Sequence, residues 1–110
     1  MSKKTYRVYL DDISTSVERI KAYTKNLSKE DFSKDQKTID AVVRNIEILG
    51  EAARNIPEDF KEEYPKVPWS KMISMRNKVI HEYSGIDLDI LWQTIEDDLQ
   101  GLEDQLKELV

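Results

Sequence analysis

Apolar residues recur at helical spacing along most of the 110-residue chain. In the first quarter they stand three or four positions apart, with Thr24 filling the one gap, and comprise Tyr6, Leu10, Ile13, Val17, Ile20 and Leu27. Residues at this spacing share one helical face, so the pattern predicts an amphipathic helix of about five or six turns. We expect this helix to end between Asn26 and Ser28, and we interpret residues 29–34 as a polar connector.

A second apolar stripe predicts a helix that begins near Ser33 and Gln36, which have the spacing of a capping box. The stripe comprises Ile39, Val42, Val43, Ile46, Leu49 and Ala53. Gly50 also lies in it; glycine inside a helix costs about 1 kcal/mol relative to alanine, but its bare backbone lets another helix approach closely. An adjacent face carries charges of both signs, at Asp40, Arg44, Glu47, Glu51 and Arg54.

Proline and glycine residues indicate where helices begin and end in the second half of the chain. We predict a short helix from Pro57 to about Tyr64, because proline suits the first helical position. A third long helix should run from about Pro68 to Tyr83. It should end at Ser84-Gly85, where glycine can take the left-handed conformation.

The last helix is predicted to begin after Asp87, a good N-cap, with Ile86 packed against Leu91 as a hydrophobic staple. Its apolar stripe comprises Leu88, Leu91, Trp92, Ile95, Leu99, Leu102, Leu106 and Leu109. No segment has the alternating pattern of a strand. The chain is therefore predicted to be one all-α domain over residues 1–110, an antiparallel bundle of four long helices plus one short helix.

Composition narrows the class of protein. The chain has no cysteine, which excludes a disulfide framework and a thiolate metal site. Residues 1–4 lead into a mixed polar segment, so no signal peptide is expected. No stretch approaches the roughly 20 apolar residues of a membrane span. We therefore expect a soluble, cytoplasmic protein that makes no contact with a membrane.

Charge is distributed unevenly along the chain, whose net charge is −5. No acidic residue lies between Tyr64 and His81, and the basic residues there are Lys66, Lys71, Arg76 and Lys78. Acidic residues dominate the segment 87–110. An anion that binds this protein should therefore bind at the basic segment. The alternative interpretation is a chance cluster of solvated lysines.

Arg76 is the unusual residue of the third long helix. On a helical projection it lies about 40° from Met72 and about 60° from Val79, in the middle of the apolar stripe. Arginine is rarely buried without a partner. A carboxylate, a partner subunit or an anionic ligand should satisfy it, and Glu47 and Glu51 are the candidate carboxylates. An internal ion pair without any chemistry is the alternative.

His81 is the only histidine in the chain, and it lies in the last turn of the same predicted helix. A helix C-terminus favours the protonated imidazole by roughly 0.3–1 kcal/mol, which would keep a proton available near neutral pH. Asn77 lies four positions earlier, on the face that His81 shares. An ordinary half-buried histidine, with Tyr83 as a core residue, is the alternative.

The residue types that are present limit the chemistry. One histidine and scattered carboxylates provide no metal-ligand cluster, and three isolated glycines provide no phosphate-binding loop. No cofactor is therefore indicated. What remains is metal-free acid–base chemistry, in which arginine stabilises charge on a phosphoryl group and histidine moves a proton. Cleavage of RNA by its own 2′-hydroxyl needs only such a pair.

The motif Arg76-x4-His81-x-Tyr83 resembles the Arg-x4-His-x-Tyr signature of HepT-type toxins in the HEPN superfamily. Three other segments resemble the same family: 41–53 (AVVRNIEILGEAA), 68–73 (PWSKMI) and 87–92 (DLDILW). The similarity covers nearly the whole chain. It implies a HEPN-like helical bundle that forms a homodimer, with the Arg–His motifs of two protomers in one cleft.

The resemblance further implies a metal-independent endoribonuclease. Arg76 and His81 would be the catalytic pair and Asn77 their polar support, while Lys71 and Lys78 are the candidate RNA contacts of the basic segment. Without catalysis, the same fold could be a HEPN dimer that binds a nucleotide or a partner nucleotidyltransferase, or a plain dimerisation bundle. Metal-free RNA cleavage would separate the enzyme from both alternatives.

HepT-type toxins are encoded beside MntA, a minimal nucleotidyltransferase that acts as the antitoxin in a type VII-like pair. In that family the antitoxin transfers AMP to the tyrosine of the motif and silences the nuclease. By this resemblance, Tyr83 is the expected AMPylation site and an MntA-like protein is the expected partner.

Overall fold

The computed structural model describes residues 3–82 and 87–107, and the side chains of residues 6–77 and 87–107. The part of the chain so described consists of helices joined by short turns, without a strand. The helices are α1 (Lys3–Thr24), α2 (Lys29–Ser33), α3 (Gln36–Asn55), α4 (Glu58–Glu63), α5 (Trp69–Glu82), α6 (Leu88–Asp97) and α7 (Leu99–Lys107). The predicted all-α class is confirmed. Two of these helices were not predicted as separate elements.

The first difference is α2, in the segment 29–34 that was interpreted as a polar connector. The capping box lies here and not at Ser33 and Gln36: the Ser28 hydroxyl accepts from the Asp31 N–H at 3.0 Å, and the Asp31 carboxylate accepts from the Ser28 N–H at 3.3 Å. The short helix is anchored by one residue, Phe32, which is fully buried. A single apolar position carries no periodicity, so the pattern could not reveal the helix.

The start of α3 is capped by Asp35. Its carboxylate accepts hydrogen bonds from the Thr38 hydroxyl at 2.7 Å and from the Thr38 N–H at 3.1 Å. These two bonds hold the pKa of Asp35 below its usual value, and the bond from the hydroxyl has the larger effect. The helix therefore begins at Gln36, close to the predicted start, but its N-cap is Asp35 and not Ser33.

The second difference is an interruption of the last predicted helix at Asp98, which separates α6 from α7. The interruption is one residue wide. Helical hydrogen bonding continues across it, since the Asp98 N–H donates to the Thr94 carbonyl and the Leu102 N–H donates to the Asp98 carbonyl. The predicted stripe continues across it with Leu91, Ile95, Leu99, Leu102 and Leu106 all buried. Asp87 is the N-cap of α6, as predicted, and accepts from the Asp89 and Ile90 N–H groups. Ile86 and Leu109 lie outside the described residues.

Pro57 and α5 also differ slightly from prediction. Pro57 is the N-cap of α4 and not its first helical residue, since α4 spans Glu58–Glu63. The long helix α5 begins at Trp69, whose indole N–H donates to the Tyr64 carbonyl at 3.1 Å. The Phe60 ring contacts the Tyr64 ring, with centroids 5.0 Å apart. Together these contacts fix the start of the helix that carries Arg76 and His81.

The long helices pack around one apolar core, in which α3 lies between α1 and α5 and α7 packs on α1. The largest fully buried side chains include Phe32, Ile13, Ile20, Ile46, Leu49, Met72 and Leu99. Helices α1 and α7 run in opposite directions. Lys21 near the end of α1 pairs with Glu103 at 2.6 Å, while Asp11 near its start and Lys107 at the end of α7 line the groove between them. The hydrogen bond from Lys21 holds the pKa of Glu103 below its usual value.

Across residues 3–82 and 87–107, no helix is both long and apolar enough to cross a membrane.

Candidate functional site

The site is built where α3 crosses α5, and Gly50 determines how closely the two helices approach. A Cβ atom built on Gly50 would lie 2.8 Å from Arg76 Cγ, 2.9 Å from the Met72 carbonyl oxygen, and closer still to Arg76 Cβ. No real side chain fits in that space. The close helix approach predicted for Gly50 therefore occurs within the chain, and it presses the stem of Arg76 against the backbone of α3.

The guanidinium of Arg76 is held by two side chains. Its Nη2 lies 3.2 Å from Glu51 Oε2, and its Nη1 donates to Asn77 Oδ1 at 3.0 Å. The Arg76 side chain is 22% exposed, so it lies at the edge of the core. These contacts use two of the five N–H donors of a guanidinium.

Glu51 is thus the carboxylate that satisfies Arg76, and Glu47 is not. Glu47 lies one turn earlier on α3, where it pairs with Arg44 at 3.5 Å. The two glutamates differ in position along the helix by about 6 Å. Only the one beside Gly50 lies level with Arg76.

Asn55 holds Glu51 in turn, and sequence analysis missed this residue. Its Nδ2 donates to the Glu51 carbonyl at 2.9 Å and to Glu51 Oε1 at 3.5 Å. The two carboxylate oxygens of Glu51 therefore have different partners, Asn55 on one side and Arg76 on the other. The signal in the sequence was the spacing of four between Glu51 and Asn55, which places them on one helical face.

His81 lies within α5, which extends to Glu82. Helical geometry places its Cα about 140° around the axis and about 7.5 Å along it from Arg76. The side chains of His81 and Lys78 lie outside those that the structure describes, and Tyr83 lies outside the described residues altogether. For these three residues the sequence predictions stay predictions.

Lys71 lies on another part of α5 from Arg76, about 140° away around the helix. Its ammonium pairs with Asp98 Oδ1 at 2.6 Å, at the junction of α6 and α7, and its side chain is 54% exposed. The ion pair links α5 to the last two helices. As a candidate RNA contact, Lys71 is therefore anchored by an acidic partner and lies apart from the Arg76 cluster.

Within the described part of the chain, no group of three or more His, Asp or Glu side chains could hold a metal ion. What the described residues do assemble is a pre-oriented arginine, supported by Glu51, Asn55 and Asn77, on the helix that contains His81. Such a group can bind and stabilise a phosphoryl oxygen.

Comparison with known proteins identifies the family. The family model described as "Ribonuclease HepT-like" matches residues 13–109. A Thermococcus cleftensis protein named "Probable ribonuclease HepT" is 43% identical over 107 residues, which cover 97% of this chain and 97% of that protein. A Caldanaerobacter subterraneus subsp. tengcongensis protein named "Putative RNase TTE0752" is 44% identical over 107 residues, covering 97% of this chain and 96% of that protein.

A third relative shows a similar identity. The Methanocaldococcus jannaschii protein named "Putative RNase MJ0127" is 39% identical over 113 residues, which cover 99% of this chain and 93% of that protein. No solved structure matches the chain. Since the family model covers most of the sequence and the relatives align with it over nearly their full lengths, the chain belongs to the HepT-like ribonuclease family.

Proposed function

We propose that this protein is a metal-independent endoribonuclease toxin, with Arg76 and His81 as its catalytic pair and Asn77 as support for Arg76. The observation that carries the proposal concerns Arg76, which lies on the same helix as His81. The half-buried guanidinium of Arg76 is held by Glu51 of α3 and by Asn77 of α5. Membership of the HepT-like ribonuclease family supports RNA as the substrate. Lys78, and Lys71 farther from Arg76 on the same helix, are proposed to contact the RNA backbone.

In the proposed reaction the ribose 2′-oxygen attacks the adjacent phosphorus, and its proton passes to a base. The bond between phosphorus and the 5′-oxygen breaks, and the leaving oxygen takes up a proton. His81 moves protons in these steps, while Arg76 donates hydrogen bonds to the non-bridging oxygens as negative charge develops. The products are a 2′,3′-cyclic phosphate and a 5′-hydroxyl. RNA cleavage in the presence of a chelator, by wild type and by variants at these two residues, tests the proposal.

The Arg76–Glu51 ion pair also fits a second candidate function. In that case the arginine is bridged internally, and the protein is a non-catalytic dimer that binds a nucleotide or a partner nucleotidyltransferase. The two candidates predict opposite results in the RNA cleavage experiment, because only the first gives products.

A homodimer is the proposed active form. The reaction needs one group that removes a proton and one that supplies a proton, and each chain has one histidine. A two-fold axis beside α5 would bring the two copies of His81 into one cleft. Sedimentation velocity at micromolar concentration should therefore give a mass about twice the 12.9 kDa of the chain. A monomer as the sole species would contradict the dimer.

Tyr83 is proposed as the site at which an MntA-like nucleotidyltransferase attaches AMP. The tyrosine oxygen attacks the α-phosphorus of ATP, pyrophosphate leaves, and the phenolic proton is released. The attached phosphate would then pair with Arg76 or Lys78, in the position that the scissile phosphate needs. Tyr83→Phe should therefore keep most of the nuclease activity but resist silencing by the partner.

Intact-mass spectrometry after incubation with the partner nucleotidyltransferase and ATP measures this outcome. Wild type should gain AMP adducts, and Tyr83→Phe should gain none. Tyr64→Phe is the matched control and should be modified like wild type. Equal adducts on wild type and Tyr83→Phe, or an adduct mapped to Tyr64, would show that the assignment is wrong.

A further inference from the structure

We infer that Glu51 is a positioning residue for the proposed reaction: its carboxylate fixes the Arg76 guanidinium in the orientation that receives the scissile phosphate. The inference rests on the proposed function, since it assigns a further residue to the same site. Glu51 does not contact RNA in this scheme and acts only through Arg76.

Two neighbouring residues of α3 fix Arg76, one at its aliphatic stem and one at its guanidinium. Its stem lies against Gly50, where even a Cβ atom would be 2.8 Å from Arg76 Cγ. Its charged end lies 3.2 Å from Glu51, the next residue along. A free arginine side chain samples many rotamers. Here the residue that admits the stem and the residue that binds the head are neighbours in sequence, so the helix crossing sets both contacts together.

Glu51 has the support that a positioning residue needs. Asn55 donates to its Oε1 at 3.5 Å, while its Oε2 pairs with Arg76. The far side of the guanidinium is held by Asn77 at 3.0 Å. The polar groups therefore form a continuous series from Asn55 through Glu51 and Arg76 to Asn77. Besides these contacts with described residues, a guanidinium has three further N–H donors, to which phosphoryl oxygens would bind in the proposed reaction.

Because the ion pair is partly exposed to solvent, a positioning role of Glu51 can be distinguished from a contribution to folding stability. Glu51 is 50% exposed and Arg76 is 22% exposed, and solvent-exposed ion pairs contribute little to folding stability. A catalytic group that is misplaced by about 1 Å can nevertheless cost about 10²-fold in rate. Loss of the Glu51 carboxylate should therefore reduce catalysis and leave the unfolding temperature nearly unchanged.

Glu47 provides a matched control on the same helix. It carries the same charge one turn earlier, and its partner is Arg44 at 3.5 Å. Its removal changes the net charge of the protein as Glu51→Ala does, but leaves the contacts of Arg76 in place.

The experiment measures kcat and KM for cleavage of a short single-stranded RNA. Glu51→Ala should lower kcat by about 10–10²-fold and change KM by less than about threefold. Glu51→Gln should keep most of the rate, because its amide oxygen can still accept from Nη2, and Glu47→Ala should match wild type. In an Arg76→Ala background, Glu51→Ala should cause no further loss. A wild-type kcat in Glu51→Ala, equal losses in the Ala and Gln variants, or an effect confined to KM would overturn the inference.

A second readout does not depend on cleavage. ¹⁵N relaxation of Arg76 Nε should report a rigid side chain in wild type and Glu47→Ala, and a mobile one in Glu51→Ala. If wild type cleaves no RNA, the proposed function fails, and this measurement alone decides the role of Glu51. A side chain that is mobile in wild type, or equally rigid in Glu51→Ala, would overturn the inference.

Discussion

Replacing either Arg76 or His81 with alanine should lower the rate of RNA cleavage by about 10²–10⁴-fold, which is the usual contribution of a positioned acid–base or charge-stabilising group. Cleavage by wild type should persist in excess EDTA, because neither group needs a metal ion. The measurement is the cleavage rate of a labelled RNA under single-turnover conditions, with product ends identified by mass spectrometry. The expected ends are 2′,3′-cyclic phosphate or the 3′-phosphate formed by its hydrolysis.

Arg44→Ala is the matched control for Arg76→Ala. Arg44 is also an arginine paired with a glutamate of α3, but its side chain is 70% exposed and its contact is with Glu47. Its removal should leave the rate unchanged, which would separate the loss of one specific arginine from a general loss of positive charge. Undiminished cleavage by His81→Ala would remove that residue from the mechanism. Loss of wild-type activity in EDTA would contradict metal independence.

Replacing Gly50 with alanine should destabilise the protein by about 1–3 kcal/mol, the usual cost of a side chain that does not fit a packed interior. The new methyl group would meet Arg76 Cβ and the Met72 carbonyl. Neither atom can rotate away, because both belong to or adjoin the backbone of α5. Helices α3 and α5 would have to separate. The gain of about 1 kcal/mol in helix propensity would not offset this cost.

Gly101→Ala is the opposite case on α7. Gly101 is exposed, and a Cβ built there would have no atom of the described part of the chain within 4 Å, apart from its own helix backbone and chain neighbours. Alanine should therefore stabilise the protein by up to about 1 kcal/mol through helix propensity alone. Thermal unfolding followed by circular dichroism compares the two variants. An increase in the unfolding temperature for Gly50→Ala would show that the helices do not meet as closely as described.

The sequence predicted the long helices because each buries many regularly spaced apolar residues. Helices α1 and α3 and the start of α5 lie close to their predicted positions. The sequence pattern did not predict α2, where Phe32 is the one buried residue. It also did not predict the break at Asp98, because the apolar stripe continues through the interruption. Both failures have one physical origin: periodicity reports which face is buried, and it is insensitive to short helices and to single-residue breaks.

The candidate site was predicted in part. The position of Arg76 in an apolar stripe indicated a carboxylate partner, and the sequence reduced the candidates to Glu47 and Glu51. The choice between them depends on how far α3 is shifted along α5, which the contact at Gly50 determines. Helical periodicity gives the angle around each axis but not the shift between two axes. For that reason the pattern could not make the choice, and it could not reveal the contribution of Asn55.

The contacts at the start of α5 have a spectroscopic consequence. The chain has two tryptophans. Trp69 is buried at the first residue of α5, and Trp92 on α6 packs against Phe32 with the two rings tilted and their centroids 5.1 Å apart. Their emission therefore reports two different places in the fold. A Trp92→Phe background leaves a single tryptophan, excited selectively at about 295 nm or above, at the start of the helix that carries Arg76 and His81. Its emission wavelength and quenching then follow the docking of that helix alone, in solution and without a label.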